Sequence, residues 1–229
     1  MASRKNRVFL VDDHPLVLEG LNMLISQEED LEVCGEAAEP REALRAIMKS
    51  GADIAIVDLS LGEHSGMDLI RSLRAQAKEI PVVVLSMHDE KLYAERVIRA
   101  GARGYVMKRE VSGTILAAVR YVLSGKLYVS PEVAEMFAEK FVDRKLPADA
   151  SPIEQLSDRE LEVFSLLGQG YETRRIAENL HLSVKTVQAY CARIKDKLNL
   201  SNGTELLREA VYWHENRASG GVTASAKTL

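Results

Sequence analysis

Short, largely apolar runs alternate with helix-period segments through the first half of the chain. The runs are RVFLV (7–11), LEVCGE (31–36), DIAIV (53–57), PVVVL (81–85) and GYVM (104–107). Between them, apolar residues recur at helical spacing over about 15–27, 39–49, 66–77, 90–100 and 112–124. Runs such as IAIV and VVVL lack polar alternation, as strands covered on both faces of a parallel sheet require. Five strand–helix repeats predict a doubly wound α/β domain with a five-stranded parallel sheet over residues 1–126. After SGKLYVS the alternation stops. Ser130, Pro131 and Glu132 signal a short capped helix reaching about Phe141, and VDRKLPADASP (142–152) is polar and aperiodic. Residues 127–151 are therefore expected to form a helical linker. From Ile153 onward the pattern is helical. Ser157 and Glu160 have capping-box spacing and open a helix ending near Gly168. Further helices are expected at 172–179, from Ser183 to about Leu198, and from Thr204 to about Arg217. Together they predict a small all-α domain over 152–217, followed by a small, polar tail (218–229) with the composition of a disordered segment.

Composition narrows the classes. The chain has 229 residues, 46% hydrophobic and 28% charged, which suits one large or two ordinary globular domains. A net charge of −4 means that any nucleic-acid surface must be a local patch. The apolar stretch after the basic MASRKNR is too short for a signal peptide, and no later one is long enough to span a bilayer. The expectation is a cytoplasmic protein without membrane contact. Cys34 and Cys191, each inside an apolar pattern, are expected as buried, reduced thiols.

Four of the five strand ends carry five polar residues between them. Asp12 and Asp13 follow the first run, Asp58 the third, Ser86 the fourth and Lys108 the fifth. Taken alone, the aspartate pair has a plain reading: Asp12 ends a strand and Asp13 caps the helix that Pro15 opens. The carboxyl edge of a parallel sheet, however, is where open α/β folds bind ligands. In the strand order 2-1-3-4-5, Asp58 faces the pair. Three carboxylates in one pocket call for a cation, and an all-oxygen set suits Mg²⁺. Lys108 and Ser86 add a charge and a hydroxyl suited to phosphoryl oxygens.

LVDDHP, IVDLSLGEHSGMDLI, VVVLSMHDE and AGARGYVMK, in this order and spacing, resemble the receiver domain of two-component response regulators over residues 7 to about 125. The resemblance implies that Asp58 accepts a phosphoryl group from a cognate histidine kinase. It further implies that Asp13, Asp58 and the backbone oxygen of Ser60 ligate Mg²⁺, with Asp12 holding a metal-bound water. Ser86 would bond a phosphoryl oxygen, Lys108 would pair with it, and Tyr105 would swing as a switch into space vacated by Ser86. Two departures stand out. Gly62 occupies a position where that family often has proline, which bears on loop stiffness. Met87 replaces the common small residue and narrows access to the acyl phosphate.

In HLSVKTVQAYCARIKDKL (181–198), Val187, Cys191, Ile194 and Leu198 make one apolar stripe. Lys185, Gln188, Ala189, Ala192 and Arg193 lie on the opposite face, with Lys195 and Lys197 further along and Arg174 and Arg175 on the preceding short helix. Basic groups over a capped helix that follows a short helix and a tight turn read as helix-turn-helix DNA binding. On charge alone, a solvated bundle face fits as well. The stretch LSDRELEVFSLLGQGYETRRIAENLHLSVKTVQAYCARIKDKLNL is similar to the LuxR-type helix-turn-helix. A receiver followed by this domain resembles the NarL/FixJ class, which implies that helix 183–197 enters the major groove and that phosphorylation promotes homodimers on double-stranded DNA. Gln188, Ala189, Ala192 and Arg193 are expected at base edges, Lys185 and Lys195 at phosphates, with Arg174 and Thr186 completing the contact set. Tyr190 and Gln188 stand where histidine and lysine are frequent, so no operator sequence carries over.

The function expected is a phosphorylation-controlled transcription regulator, not an enzyme beyond its own phosphoryl transfer and dephosphorylation. Its alternatives are a phosphorylation-independent DNA-binding adaptor and a Mg²⁺-dependent aspartyl phosphohydrolase. The second fits less well, because such enzymes carry D-x-D after the first strand rather than an adjacent pair followed by His14.

Overall fold

The computed structural model describes residues 4–62, 64–76, 80–142 and 152–218. The chain divides into two compact units, with the boundary between residues 145 and 146. The expected linker core and the polar tail fall at 143–151 and 219–229, outside the described residues.

In the first unit, β1 (Asn6–Val11), β2 (Leu31–Ala37), β3 (Ile54–Asp58), β6 (Val82–Ser86) and β7 (Gly104–Met107) form a five-stranded sheet in the order β2-β1-β3-β6-β7. Counting only these five, that is the expected 2-1-3-4-5. All four pairings are parallel. The extra numbers belong to a hairpin of two-residue strands, β4 (Ser60–Leu61) and β5 (His64–Ser65), which the sequence did not signal. Alternate strand positions divide the core. Val8, Leu10, Ile54, Ile56, Val83, Leu85 and Val106 pack with Leu21 and Ile25 of α1 (Pro15–Ser26) and with Ile115, Val119 and Val122 of α5 (Val111–Leu123). The alternate positions, among them Phe9, Val57, Val84 and Tyr105, are also buried. Three helices supply buried apolar residues on that side: α2 (Pro40–Ser50), α3 (Gly66–Ala75) and α4 (Glu90–Ala100).

The segment read as the start of a linker is built onto this unit. Tyr128 forms a parallel bridge beside β7: its N–H donates to the Arg103 carbonyl and its carbonyl accepts the Tyr105 N–H, both at 2.9 Å. Helix α6 (Pro131–Val142) then lies along α4, with Val133 fully buried. The nearly buried Glu90 carboxylate accepts the Ser130 N–H at 2.8 Å, Lys91 pairs with Glu132, and Lys140 pairs with Glu95.

The second unit contains four α-helices among the described residues: α7 (Asp158–Gly168), α8 (Thr173–Asn179), α9 (Val184–Leu198) and α10 (Gly203–Ala218). A 3-10 turn at Pro152–Gln155 precedes them. Ser157 and Glu160 form the predicted capping box in full. Helices α7 and α10 pack through Phe164 and Trp213, ring centroids 5.5 Å apart. On α9, Val187 and Ile194 are fully buried, whereas Cys191 and Leu198 are only half-buried. Both cysteines are free and half-buried, so the expectation of buried thiols is corrected to partial exposure. Among the described residues, no helix is long and apolar enough to cross a membrane.

Candidate functional site

Parallel register gathers the polar strand ends. Val11 pairs with Val57, Asp58 with Leu85, and Ser86 with Met107. Asp12, Asp58, Ser86 and Lys108 therefore share one edge of the sheet, where the strands' last carbonyls give way to loops. Asp12, Asp58 and Ser86 are all at most 3% exposed. The Lys108 Nζ lies 2.7 Å from Asp12 Oδ2 and donates to Asp58 Oδ2 at 2.7 Å. One ammonium, its side chain 10% exposed, thus holds two buried carboxylates together.

The electrostatics follow from burial. Desolvation, reinforced by the like charge of Asp12, pushes the Asp58 carboxyl up to about 6 against the pull of Lys108. Burial works against the Lys108 charge, but Asp58 and Asp12 outweigh it and hold the ammonium above its ordinary value. Asp12, Asp13, His14 and Asp58 offer ligand atoms that all lie within 4.8 Å of one another. Three carboxylates against one lysine leave negative charge in a confined pocket, and the oxygen-rich set fits a hard divalent cation.

Ser60 and Gly62, between β3 and α3, bring main chain up to these carboxylates. The Ser60 N–H donates to Asp58 Oδ1 at 3.3 Å, and the Gly62 N–H donates to Asp13 Oδ2 at 2.8 Å. Gly62 has φ +55°, so its departure from proline changes more than stiffness: proline has neither that φ nor an N–H to give Asp13. Gly66 sits so close to the main chain that a Cβ there would lie 1.9 Å from the Asp58 carbonyl oxygen. The plain reading of Asp13 as a helix cap does not hold. His14 is the N-cap residue of α1, without a side-chain cap bond.

Other expected residues take definite places. The Ser86 hydroxyl accepts the His88 N–H at 3.1 Å. Tyr105 is 1% exposed and donates its hydroxyl to the His88 carbonyl at 2.9 Å, so the ring is packed inward in this structure. Met87 is 72% exposed beside Ser86. Two histidines escaped the sequence reading. The His14 Nδ1 lies 2.8 Å from Asp13 Oδ1 and 3.2 Å from Asp12 Oδ1, a contact that adjacency in DDHP could have signalled. His88 reaches Ser60, 28 residues earlier, which only the folded chain reveals.

In the second unit, Arg174, Lys185, Gln188, Ala189, Ala192 and Arg193 are exposed, and Lys195 is half-buried. Arg193 lies over the Tyr190 ring, 5.4 Å from its centroid. The Thr186 Oγ1 and the Ser183 Oγ share a 2.8 Å hydrogen bond, which gives that residue a place in the α9 cap. Arg174 lies 3.8 Å from Glu178. Lys197, counted above among the basic groups, instead bonds Glu160 at 2.7 Å and the Gln155 carbonyl at 3.1 Å.

Family models place this architecture. Residues 8–120 match the response regulator receiver domain, and 154–210 match the bacterial regulatory proteins of the luxR family. The chain is 36% identical over 210 residues to the oxygen regulatory protein NreC of Staphylococcus haemolyticus, covering 90% of this chain and 96% of that one. It resembles the solved structure of RcsB from Salmonella typhimurium with a TM-score of 0.54 at 25% identity, covering 92% and 100% of the two chains. A LuxR-family response regulator from Aurantimonas sp. gives a TM-score of 0.56 at 33% identity, covering 61% of this chain and 99% of that one. Among RcsB structures are a complex with DNA and one of two dimers bound to two parallel DNAs. This chain belongs to the LuxR family of response regulators, the DNA-binding output proteins of two-component systems.

Proposed function

We propose that Asp58 is the phosphoacceptor, that Mg²⁺ assists the transfer, and that phosphorylation promotes homodimers that bind paired DNA half-sites in the cytoplasm. The observation that carries this reading is the buried Asp58 carboxylate at the end of the central strand, held 2.7 Å from Lys108 within the acidic cluster. An Asp58 oxygen forms the new P–O bond as the kinase phosphohistidine's P–N bond breaks, and the released imidazole takes up a proton. Asp13, Asp58 and the Ser60 carbonyl would hold Mg²⁺, with Asp12 beside them; bound there, the ion supplies positive charge against the phosphoryl oxygens. Ser86 and Lys108 bind the transferred group, and Tyr105 packs inward when Ser86 turns toward it. Genome-wide DNA capture tests the whole reading: Asp58→Ala should lose the sites that wild type gains under stimulus, and unchanged capture would refute it.

Lys108→Ala should still accept phosphate from a small donor yet dimerise poorly, because the phosphoryl charge loses the partner that ties it to β7. Sedimentation of the phosphorylated variant measures this; dimerisation as full as wild type would remove Lys108 from the coupling.

The DNA-facing residues should separate by kind. Gln188→Ala should relax preference at one base position per half-site, at roughly 1–3 kcal/mol, as expected for a lost bidentate contact. Lys195→Ala should weaken all sequences alike and flatten the salt dependence by about one ion per half-site. Lys197→Ala should do neither, since its ammonium is engaged with Glu160; it should instead lower the melting temperature of the second unit. A randomised operator library selected at two salt concentrations, with calorimetry alongside, distinguishes the three. A salt slope altered by Lys197→Ala as much as by Lys195→Ala would overturn the division.

A further inference from the structure

His88 joins four parts of the first unit. Its Nε2 and the Ser60 Oγ share a 2.9 Å hydrogen bond. Its N–H donates to the Ser86 Oγ at 3.1 Å, and its carbonyl accepts the Tyr105 hydroxyl at 2.9 Å. Its ring lies against Tyr93 of α4, with centroids 4.8 Å apart and planes tilted by 31°. The two main-chain bonds would survive replacement of the side chain. The Tyr93 contact asks only for a flat or apolar group. Of these contacts, the bond to Ser60 is the one that requires a polar atom at the reach of an imidazole Nε2, and it crosses from the segment between β3 and α3 to the loop after β6.

We propose that His88 is a positioning residue that makes ordering of the Ser60 loop and ordering of the Ser86–Tyr105 loop one coupled event, through the Ser60 Oγ–His88 Nε2 bond. The proposal rests on the reading of Asp13, Asp58 and the Ser60 carbonyl as a cation site. A cation held by that carbonyl fixes the Ser60 peptide and with it the hydroxyl. His88 then has less freedom left to lose when it packs, so the second loop orders at lower entropic cost. Linkage makes the effect reciprocal: an inward Tyr105 must favour the cation by the same factor. The coupling is that of one net hydrogen bond, about fivefold. Chemistry at Asp58 and packing at Tyr105 are thereby connected before any phosphoryl group arrives.

Hydrogen exchange of the full-length protein, followed by mass spectrometry with and without Mg²⁺ alone, tests this directly. In wild type, Mg²⁺ should slow exchange both over 56–62 and, by about fivefold, over 86–93. In Ser60→Ala, which keeps the carbonyl and removes only the hydroxyl, slowing should persist over 56–62 and vanish over 86–93. His88→Ala should behave alike, and the double variant should lose nothing more. His88→Gln, which restores a polar atom near the Nε2 position, should recover part of the response, as a merely space-filling role would not. If Mg²⁺ slows 86–93 equally in wild type and Ser60→Ala, the coupling does not run through His88 and the proposal is overturned, with the cation site intact. If Mg²⁺ slows neither segment of wild type, the reading of the cation site falls and the proposal with it. Should His88→Ala fail to fold, Ser60→Ala alone decides.

Discussion

Asp58→Asn should take up no phosphate from acetyl phosphate and Mg²⁺, and in the absence of metal at pH 8 it should be more stable than wild type. Wild type should gain one acid-stable, base-labile phosphate, read by intact mass. Loss of acceptance follows because an amide is no nucleophile for phosphorus. The stability gain follows from burial. The Asp58 carboxyl titrates at about 6 in the folded protein against 3.8 ordinarily, so the native state holds this proton more tightly than the unfolded chain. Its stabilising effect is complete below about pH 3.8 and is lost as pH rises through about 6. Above that range the ionised group weighs against folding by about 2–3 kcal/mol, and asparagine, which never ionises, avoids it. The advantage of Asp58→Asn should therefore be present at pH 8 and absent at pH 4, and added Mg²⁺ should narrow it at pH 8. Calorimetry of the first unit's transition measures this. Equal stability of the two proteins at pH 8 would mean that Lys108 fully compensates Asp58, and phosphate on Asp12, Asp13 or a serine would displace Asp58 as acceptor.

The strands were legible because IAIV and VVVL are apolar without alternation, and a parallel sheet covered on both faces permits little else. Once five such strands stand in the order 2-1-3-4-5, the residue after each one is placed at the carboxyl edge, and Asp12, Asp58, Ser86 and Lys108 meet without any knowledge of side-chain packing. What the sequence concealed depends on tertiary neighbours. The segment 128–142 reads as part of a linker because the strand–helix alternation has stopped and the polar, aperiodic stretch 142–152 follows it, yet Val133, the Tyr128 main chain and the Glu90 carboxylate suffice to fasten it to α4 and β7. Lys197 reads as one more basic group because its partner, Glu160, lies 37 residues earlier. The hairpin of β4 and β5 is too short for any periodicity to show. His88 sits in a loop, where no pattern constrains it, and acquires its contacts only when two loops from different strands approach. In the second unit, the α9 stripe predicted which face is buried, but the engagement of Lys197 with Glu160 and the Gln155 carbonyl required the positions of α7 and the turn before it.

Gly66→Ala should be the most damaging single methyl in the first unit. A Cβ at this position would lie 1.9 Å from the Asp58 carbonyl oxygen and 3.1 Å from the Leu59 Cα, so the obstacle is main chain and no side chain can move aside. Either the end of β3 or the start of α3 must shift. Both choices are costly: Asp58 is the last residue of β3, in register with Leu85, and the Gly66 N–H is tied to the Leu59 carbonyl at 2.8 Å. Overpacking of this kind destabilises by about 1–3 kcal/mol or somewhat more. The functional loss should be larger than the stability loss, because the shift falls on Asp58, the proposed acceptor. Misplacing a reacting group by about 1 Å lowers rate by roughly a hundredfold. Phosphorylation by acetyl phosphate at saturating Mg²⁺ should therefore fall by about that factor in protein that remains folded, as judged by its far-ultraviolet spectrum at 10 °C below the midpoint of unfolding. Gly20→Ala supplies the contrast. That position lies within α1 with nothing within 4 Å of an added Cβ, so alanine should raise stability by about 0.5–1 kcal/mol and leave phosphorylation by the small donor unchanged. If Gly66→Ala accepts phosphate at the wild-type rate, the loop between β3 and α3 yields without moving Asp58, and the close approach at Gly66 plays no part in placing the acceptor.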